Sequence, residues 1–306
     1  MTTRILEPGE IEQRSTTIPE LLLPELPGLF AARAARLRTL AEGNAIGAYL
    51  GFLARLSEAQ QWVADTLPLP DVAGPMQREQ ARRAGMPLLP ALAASRPEGW
   101  FEVLRAMLDR LAQGALPPGL HERLSVLKQR DRAWLDHQAA HILSGEYAAL
   151  DLATAPLVAA SLQVIWTASA AALTVTNVAP LVERRLCPVC GSHPVASVVR
   201  IGADVSGYRY LHCALCNTEW HVVRVKCSSC ESTKGIDYRE IDGGPGVVKA
   251  ECCGECRGYL KQFYQEKAPE LDPVADDLAS LALDLLLDEE GFTRSGTNLL
   301  LFPAQA

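Results

Sequence analysis

The segment CALCNTEWHVVRVKCSSC, residues 213–230, holds two Cys-x-x-Cys pairs on either side of a stretch that contains no Gly or Pro. A third pair, CPVC at 187–190, precedes it, and a fourth, CGEC at 253–256, follows it. Between the first and second pairs along the chain lie 22 residues, and 22 also lie between the third and fourth. When the segments 187–216 and 227–256 are overlaid, all four cysteines of one coincide with those of the other, which indicates an internal duplication.

The pairs have the residue type and spacing of two metal centres, because a tetrahedral site takes four thiolates and one Cys-x-x-Cys turn presents only two. Each spacer has a turn-rich middle, at 202–207 and 242–246, and can return as a hairpin. The stretch 217–226 would instead extend roughly 33 Å at about 3.3 Å per residue and separate two centres. We therefore favour pairing the first with the second and the third with the fourth, with an interleaved scheme as the alternative. The predicted ligands are Cys187, Cys190, Cys213 and Cys216 for the first centre, and Cys227, Cys230, Cys253 and Cys256 for the second.

The sequence does not decide which metal binds or what the ninth cysteine does. Four sulfur ligands in a tetrahedron suit both iron and zinc, and the spacing does not choose between them. Cys252 stands directly before the fourth pair and falls at the position of His212 when the two segments are overlaid. We expect a buried thiol there, outside the repeated pairs, and a reactive thiol or substitute ligand is the alternative.

Histidines give weaker signals than cysteines. His137 and His141 have the helical spacing of a zinc protease pair, but Gln138 stands where such an enzyme needs its catalytic Glu. We expect ordinary surface or core positions for both. Three histidines near the pairs can bond to thiolate sulfur or occupy ordinary strand and loop positions: His193, His212 and His221.

The segment 1–180 repeatedly shows helical periodicity, as in the apolar stripe of Trp100, Leu104, Leu108 and Leu111. The proline-rich stretch 68–97 is typical of a connecting segment. The stretch 152–182 contains no charged side chain and is long enough to span a bilayer. Because Ser, Thr, Gln and Asn are spread through this stretch, we expect a helix buried in the helical domain, with a membrane contact as the alternative.

A last helix is predicted within 271–291, with Asp272 as its cap, Pro273 at its first position and Gly291 as its stop. Its acidic positions are expected to form a solvated face. The expected buried stripe is Val274, Leu278, Leu281 and Leu285.

These patterns predict a multidomain α+β protein. An all-helical domain covers 1–182, and two small rubredoxin-like or zinc-ribbon-like β subdomains, each with four cysteines, cover 183–224 and 225–264. A C-terminal helix and tail occupy 265–306. The short alternating runs around 196–202 and 220–225 supply the strands.

Composition narrows the setting in which such a protein works. The opening sequence MTTRILEPGEIEQRST (1–16) is polar and partly acidic, without the apolar stretch of a signal peptide. We therefore expect a cytoplasmic protein with reduced thiols and no stable membrane insertion. The net charge of −7 argues against a nucleic-acid binder, whose affinity comes mostly from Lys and Arg contacts to phosphate.

The cysteine segments together resemble the formate dehydrogenase accessory protein family, FdhE, over about 150–290. The resemblance implies a cytoplasmic, non-catalytic assembly factor that binds two irons, one in each rubredoxin-like centre, through the eight paired cysteines. It also implies contact with the catalytic subunit of formate dehydrogenase before that enzyme is exported. The stretches that carry the resemblance are RLCPVCGSHPVASVV (185–199), RYLHCALCNTEWHVVRVKCSSC (209–230) and AECCGECRGYLK (250–261), with APLVAASLQVIWT (155–167) before them and YQEKAPELDPVADDLASLALD (264–284) after them.

Two other classes of protein use the same pattern. One is a zinc-ribbon protein whose purely structural zinc supports nucleic-acid or protein interactions, and its sign would be salt-dependent binding of nucleic acid. The other is a thiol oxidoreductase with a metal-free pair, and its sign would be a stable disulfide in the oxidised protein.

Overall fold

The computed structural model describes residues 18–93, 96–114, 116, 118–179, 181, 183–202 and 204–302 of the chain. The first part is helical, a sheet that carries the cysteine pairs follows, and two short helices come near the end. The mixed α+β class predicted from the sequence is therefore confirmed. The prediction that 1–182 is all-helical is wrong at Leu21–Leu22, which form a short strand at the edge of the sheet.

The elements of the described residues are as follows. The α-helices are α1 (Leu29–Ala41), α2 (Gly47–Thr66), α3 (Pro75–Arg83), α4 (Trp100–Ala112), α5 (Leu120–Gln129), α6 (Arg132–Ser144), α7 (Ala155–Ala171), α8 (Pro273–Ala279) and α9 (Leu281–Glu289). The strands are β1 (Leu21–Leu22), β2 (Pro194–Val199), β3 (Arg209–Cys213), β4 (Glu219–Val222), β5 (Ile236–Arg239), β6 (Val248–Cys253), β7 (Gly258–Tyr264) and β8 (Thr293–Arg294).

The charge-free stretch forms α7, a helix whose residues are nearly all buried. A helix that is buried all round needs no polar face, which explains why the sequence shows no charged side chain there. Its polar groups find partners inside the protein: Gln163 Nε2 donates to Ala214 O at 2.8 Å, and Trp166 Nε1 donates to Leu89 O at 3.0 Å. The buried-helix prediction is confirmed. None of the helices in the described part of the chain combines the length and the apolar composition that a membrane span requires.

Two other expectations for the helical part have different outcomes. The stripe of α4 is buried as predicted, from Trp100 to Leu111. The proline-rich stretch 68–97, expected as a connection, contains the short helix α3, which starts at Pro75 and buries none of its side chains. Proline fits the first turn of a helix, so a high proline count did not exclude one.

The sheet combines two antiparallel modules. Its order is β1-β4-β3-β2-β7-β6-β5, with β8 beside β7. Overlaying 187–216 on 227–256 places β3 on β6, so β2-β3-β4 and β5-β6-β7 are the two copies of the duplication. The two copies join through a parallel pairing of β2 with β7, in which Ser197 lies opposite Gln262. The domain boundaries at 182, 224 and 264 stay a prediction.

The last helical segment differs from the prediction in which leucines its second half buries. Asp272 caps α8 by accepting from the amides of Val274 and Ala275, as expected. The helix is then interrupted at Ser280, and α9 starts afresh. Because the interruption shifts the phase of the apolar stripe, the second helix buries Leu283 and Leu287, whereas Leu285 is 68% exposed.

The acidic positions of α8 were expected to face solvent, and this expectation is wrong. Asp276 is buried and makes two hydrogen bonds with Arg36 of α1, at 2.9 and 2.6 Å. Asp277 is buried too, and its carboxylate lies 3.0 Å from Lys261 Nζ of β7. Burial alone would raise the pKa of Asp277, but the charges of Arg294 and Lys261 outweigh it and lower the pKa.

A buried ion pair connects the two copies of the module. Arg209 of β3 donates twice to the Glu251 carboxylate of β6, both at 2.8 Å, across the intervening strands β2 and β7. Both side chains are almost completely inaccessible to solvent, and Tyr238 Oη also donates to Glu251 at 2.9 Å. Each charge therefore depends on its partner, because an unpaired charge in the interior is costly.

We predict that Glu251→Gln lowers the free energy of unfolding by about 3–5 kcal/mol, since it leaves the Arg209 guanidinium buried without its counter-charge. The double variant Arg209→Met/Glu251→Leu should recover much of that loss, because it removes both charges. Urea denaturation followed by circular dichroism measures both effects.

Glu58→Gln is the matched control, because Glu58 pairs with Arg38 at the surface, where both side chains are about half exposed. Surface pairs contribute about 0–1 kcal/mol. A cost of Glu251→Gln no larger than that of Glu58→Gln would contradict the role given to the buried pair.

Candidate metal centres

The first two pairs meet in one buried group of sulfur atoms. Cys187 and Cys190 belong to the turn before β2, Cys213 ends β3, and Cys216 lies in the turn that leads to β4. The four sulfur atoms lie within 4.8 Å of one another, with Cys187–Cys216 at 3.6 Å and Cys190–Cys213 at 3.4 Å. All four residues are buried.

The last two pairs form a second group of the same kind. Cys227 and Cys230 precede β5, Cys253 ends β6, and Cys256 lies in the turn before β7. The distances Cys227–Cys256 and Cys230–Cys253 are both 3.7 Å. Cys227 and Cys253 are buried, whereas Cys230 and Cys256 are exposed. The structure thus brings the eight cysteines together in the two groups expected from the spacers.

The turns are built alike in all four pairs. The residue after each second cysteine has a positive φ: Gly191 (80°), Asn217 (57°), Glu231 (61°) and Arg257 (57°). This left-handed residue reverses the chain directly after the pair and lets both sulfur atoms point to the same side. Glycine adopts that conformation without steric cost, whereas the other three residue types do so at some cost.

Backbone amides of the turns point at sulfur. The amides of Leu215 and Cys216 each lie 3.4 Å from Cys213 Sγ. In the second group, the amides of Ser229 and Cys230 lie 3.4 and 3.5 Å from Cys227 Sγ. Amide donors favour the ionised form of a sulfur, which is the form that binds metal.

The donor set fits a tetrahedral ion. A metal bound by four sulfur atoms at about 2.3 Å requires sulfur–sulfur distances of about 3.8 Å. The shortest distances in the two groups, 3.4–3.7 Å, are close to this value. The observed distances are far longer than the roughly 2.05 Å of a disulfide. Burial, together with the neighbouring sulfur atoms, raises the pKa of the Cys187 and Cys213 thiols well above the ordinary value. Four ionised sulfurs in the first group therefore need a cation among them.

The helical region encloses the first group. The amide of Ala91 donates to Cys190 O at 2.9 Å, and Gln163 of α7 donates to Ala214 O at 2.8 Å. Hydrogen bonds thus connect the two turns to different parts of the helical region. Thr218 Oγ1 lies 3.2 Å from Cys216 Sγ, where its hydroxyl can donate to a thiolate.

Asn217 is a structural residue that the sequence analysis missed. Its Nδ2 donates to Thr167 of α7 at 2.7 Å, and its Oδ1 accepts from Arg33 of α1 at 2.7 Å. His212 Nε2 lies 3.2 Å from the same Oδ1. The sequence did offer a signal: Asn217, like Gly191, directly follows the second cysteine of a Cys-x-x-Cys pair, and Asn tolerates a positive φ.

The histidines near the pairs do not bond to sulfur within the described residues. His212 Nδ1 lies 2.8 Å from Glu219 Oε1, and the ring of His221 packs edge-on against Tyr208 and Tyr210. Burial lowers the pKa of His193. These three side chains take the alternative given to them from the sequence, that of ordinary strand and loop positions.

The other residues singled out in the sequence belong to neither group of sulfur atoms. Cys252 is buried beside Tyr259 and Leu283, and burial raises the pKa of its thiol to about 12, which disfavours the thiolate, the reactive form of cysteine. His137 and His141 contact each other on α6, with their Nε2 atoms 3.0 Å apart. Neither belongs to a cluster of potential metal ligands among the described residues.

A helical body joined to a sheet with two groups of four cysteines defines a cysteine-rich protein with two sites that can each hold a metal ion. Three consecutive regions match models of one family: "FdhE, N-terminal" over 18–183, "FdhE, central domain" over 186–224 and "FdhE, C-terminal domain" over 225–301. The chain belongs to the FdhE family.

Individual relatives extend over the whole chain. The "Protein FdhE homolog" of Cronobacter sakazakii is 40% identical over 100% of this chain and 99% of its own length. That of Stutzerimonas stutzeri is 41% identical over 99% of both chains. The crystal structure of the FdhE protein from Pseudomonas aeruginosa has a TM-score of 0.85 and 38% identity, and the match covers 94% of this chain and 100% of that one.

We predict that Gly191→Ala lowers the free energy of unfolding by about 1–2 kcal/mol, because a side chain is strained at this φ of 80°. The added Cβ would also lie only 3.2 Å from Pro87 Cγ. Thermal or urea unfolding of the purified chain measures the loss.

Gly51→Ala in α2 is the control, since an added Cβ there meets no described atom within 4 Å and φ is not positive. It should stabilise the chain by up to about 1 kcal/mol. Equal effects of the two substitutions would show that the left-handed turn imposes no constraint.

Proposed function

We propose that this protein is a cytoplasmic accessory factor for formate dehydrogenase, which contacts the catalytic subunit of that enzyme before export. The observation that carries the proposal is the presence of two four-sulfur groups in a chain of the FdhE family. The family name supports the link to formate dehydrogenase. In this proposal the eight paired cysteines are metal ligands, so the chain has a binding role and does not itself catalyse a reaction.

We infer that each group holds one iron, with Cys187, Cys190, Cys213 and Cys216 as the ligands in the first centre and Cys227, Cys230, Cys253 and Cys256 in the second. Iron in such a sulfur cage can change its charge by one electron, which zinc cannot. The chain itself supplies the sulfur atoms and the backbone amides that donate to Cys213 Sγ and Cys227 Sγ. Its packing excludes water from the first centre. If both metals are zinc, the centres hold the fold together and have no part in electron transfer.

The charge of the chain and its exposed cysteines favour a protein partner over a nucleic acid. The net charge is −7, and nucleic-acid binding depends mostly on neutralising phosphates with Lys and Arg. The two exposed cysteines of the second group lie where another protein can reach them.

We predict that Cys213→Ala/Cys216→Ala lowers the metal content from about two ions to about one per chain, because two sulfur atoms cannot complete a tetrahedral site. Cys253→Ala/Cys256→Ala should do the same in the second centre. Elemental analysis of protein purified without oxygen measures the metal. Formate dehydrogenase activity of cells that depend on this protein should fall with either variant.

Cys252→Ala is the control and should leave both metals and the enzyme activity unchanged, because its sulfur belongs to neither group. Unchanged metal content in the double variants would refute the ligand assignment. Full formate dehydrogenase activity in cells that lack the protein would refute the accessory role, even if both centres bind metal.

A further inference from the structure

The two copies of the duplicated module differ in how they expose their sulfur atoms. Cys190 and Cys230 are equivalent positions of the two copies, yet the first is buried and the second is exposed. The same holds for Cys216 and Cys256. The backbone turns are alike in both copies, so the difference comes from what packs against each one.

The helical region covers the first group. The chain at Leu89 and Ala91 pairs with the turn of the first cysteine pair through hydrogen bonds of 2.9 Å to Val189 O and Cys190 O. Side chains of α7 close the site from another direction, and all four cysteines belong to the main hydrophobic core. A ligand from solvent can reach this metal position only if the core opens locally.

The second group has a thinner cover. Its turns contact the C-terminal segment at two points. Ser229 Oγ donates to Ser295 Oγ at 2.7 Å, and the Arg257 guanidinium donates to the backbone carbonyl of Glu290, directly after α9. On another side Cys227 lines a surface cleft of about 310 Å³, together with Lys226 and Glu231. Cys230 and Cys256 are themselves exposed, so two of the four sulfur-bearing residues of this group face solvent.

We infer that the second centre exchanges ligands with an external thiolate or other soft donor, whereas the first centre keeps its metal as a permanent part of the fold. This inference rests on the proposed metal centres. A new bond forms between the metal and the incoming donor as the bond to Cys230 or Cys256 breaks. When the donor arrives as a thiol, its proton passes to the departing cysteine sulfur, and no electron is transferred.

The chain loaded with zinc, which has no redox chemistry of its own, is the material for the test. An excess of the chromogenic chelator 4-(2-pyridylazo)resorcinol should remove the two zinc ions in two phases. We expect the ion of the second centre to leave at least about tenfold faster than that of the first centre, because release from the first centre requires local opening of the core. Alkylation by N-ethylmaleimide with peptide mapping should modify Cys230 and Cys256 before the other paired cysteines.

Matched substitutions assign the phases. Cys230→Ser should abolish the fast phase and keep the slow one, whereas the equivalent Cys190→Ser should abolish the slow phase. If Cys190→Ser does not fold, the alkylation map and the Cys230→Ser variant decide the question. A single release phase, or earlier alkylation of Cys190 or Cys216, would overturn the inference while leaving the two metal centres intact. A chain that takes up no zinc or iron would overturn the proposed centres and this inference together.

Discussion

The structure depends on bringing four sulfur atoms to one point, twice. Each pair is presented by a tight turn. The two turns of a group lie at the beginning and the end of a hairpin segment, which brings them side by side. Four adjacent thiolates repel one another, and burial of Cys187 and Cys213 adds a cost of desolvation that raises the pKa of both thiols. A cation is the direct physical solution to both costs, so the geometry of the strands and the chemistry of the sulfur atoms point to the same conclusion.

The rest of the chain sets the surroundings of these two groups. In the first copy, Asn217 connects the cysteine turn with Arg33 of α1 and Thr167 of α7, so the helical region and the first site stabilise each other. The second copy is attached to the first through the β2–β7 pairing and the Arg209–Glu251 ion pair. One repeated sequence pattern therefore yields one enclosed site and one open site.

Much of this arrangement could be predicted from the sequence, because spacing and periodicity report on local structure. The equal spacers predict which cysteine pairs meet, and the absence of charge predicts that α7 is buried. Contacts between distant segments could not be predicted in this way. Asp276 has the pattern of a solvent-facing residue, and its counter-charge in the interior, Arg36, lies far earlier in the chain. The parallel contact of β2 with β7 likewise leaves no local signal, since each strand already has an antiparallel partner within its own copy.

The coordination of the metal in the unmodified chain is the most direct test of the two four-cysteine centres. X-ray absorption at the metal edge, combined with elemental analysis of protein purified without oxygen, measures it. We expect about two irons per chain, each surrounded by four sulfur atoms at about 2.3 Å, with no nitrogen or oxygen ligand. Two zinc ions with the same sulfur shell would contradict the proposed electron chemistry. Protein without stoichiometric metal, or a shell with nitrogen or oxygen in place of sulfur, would contradict the four-cysteine centres themselves.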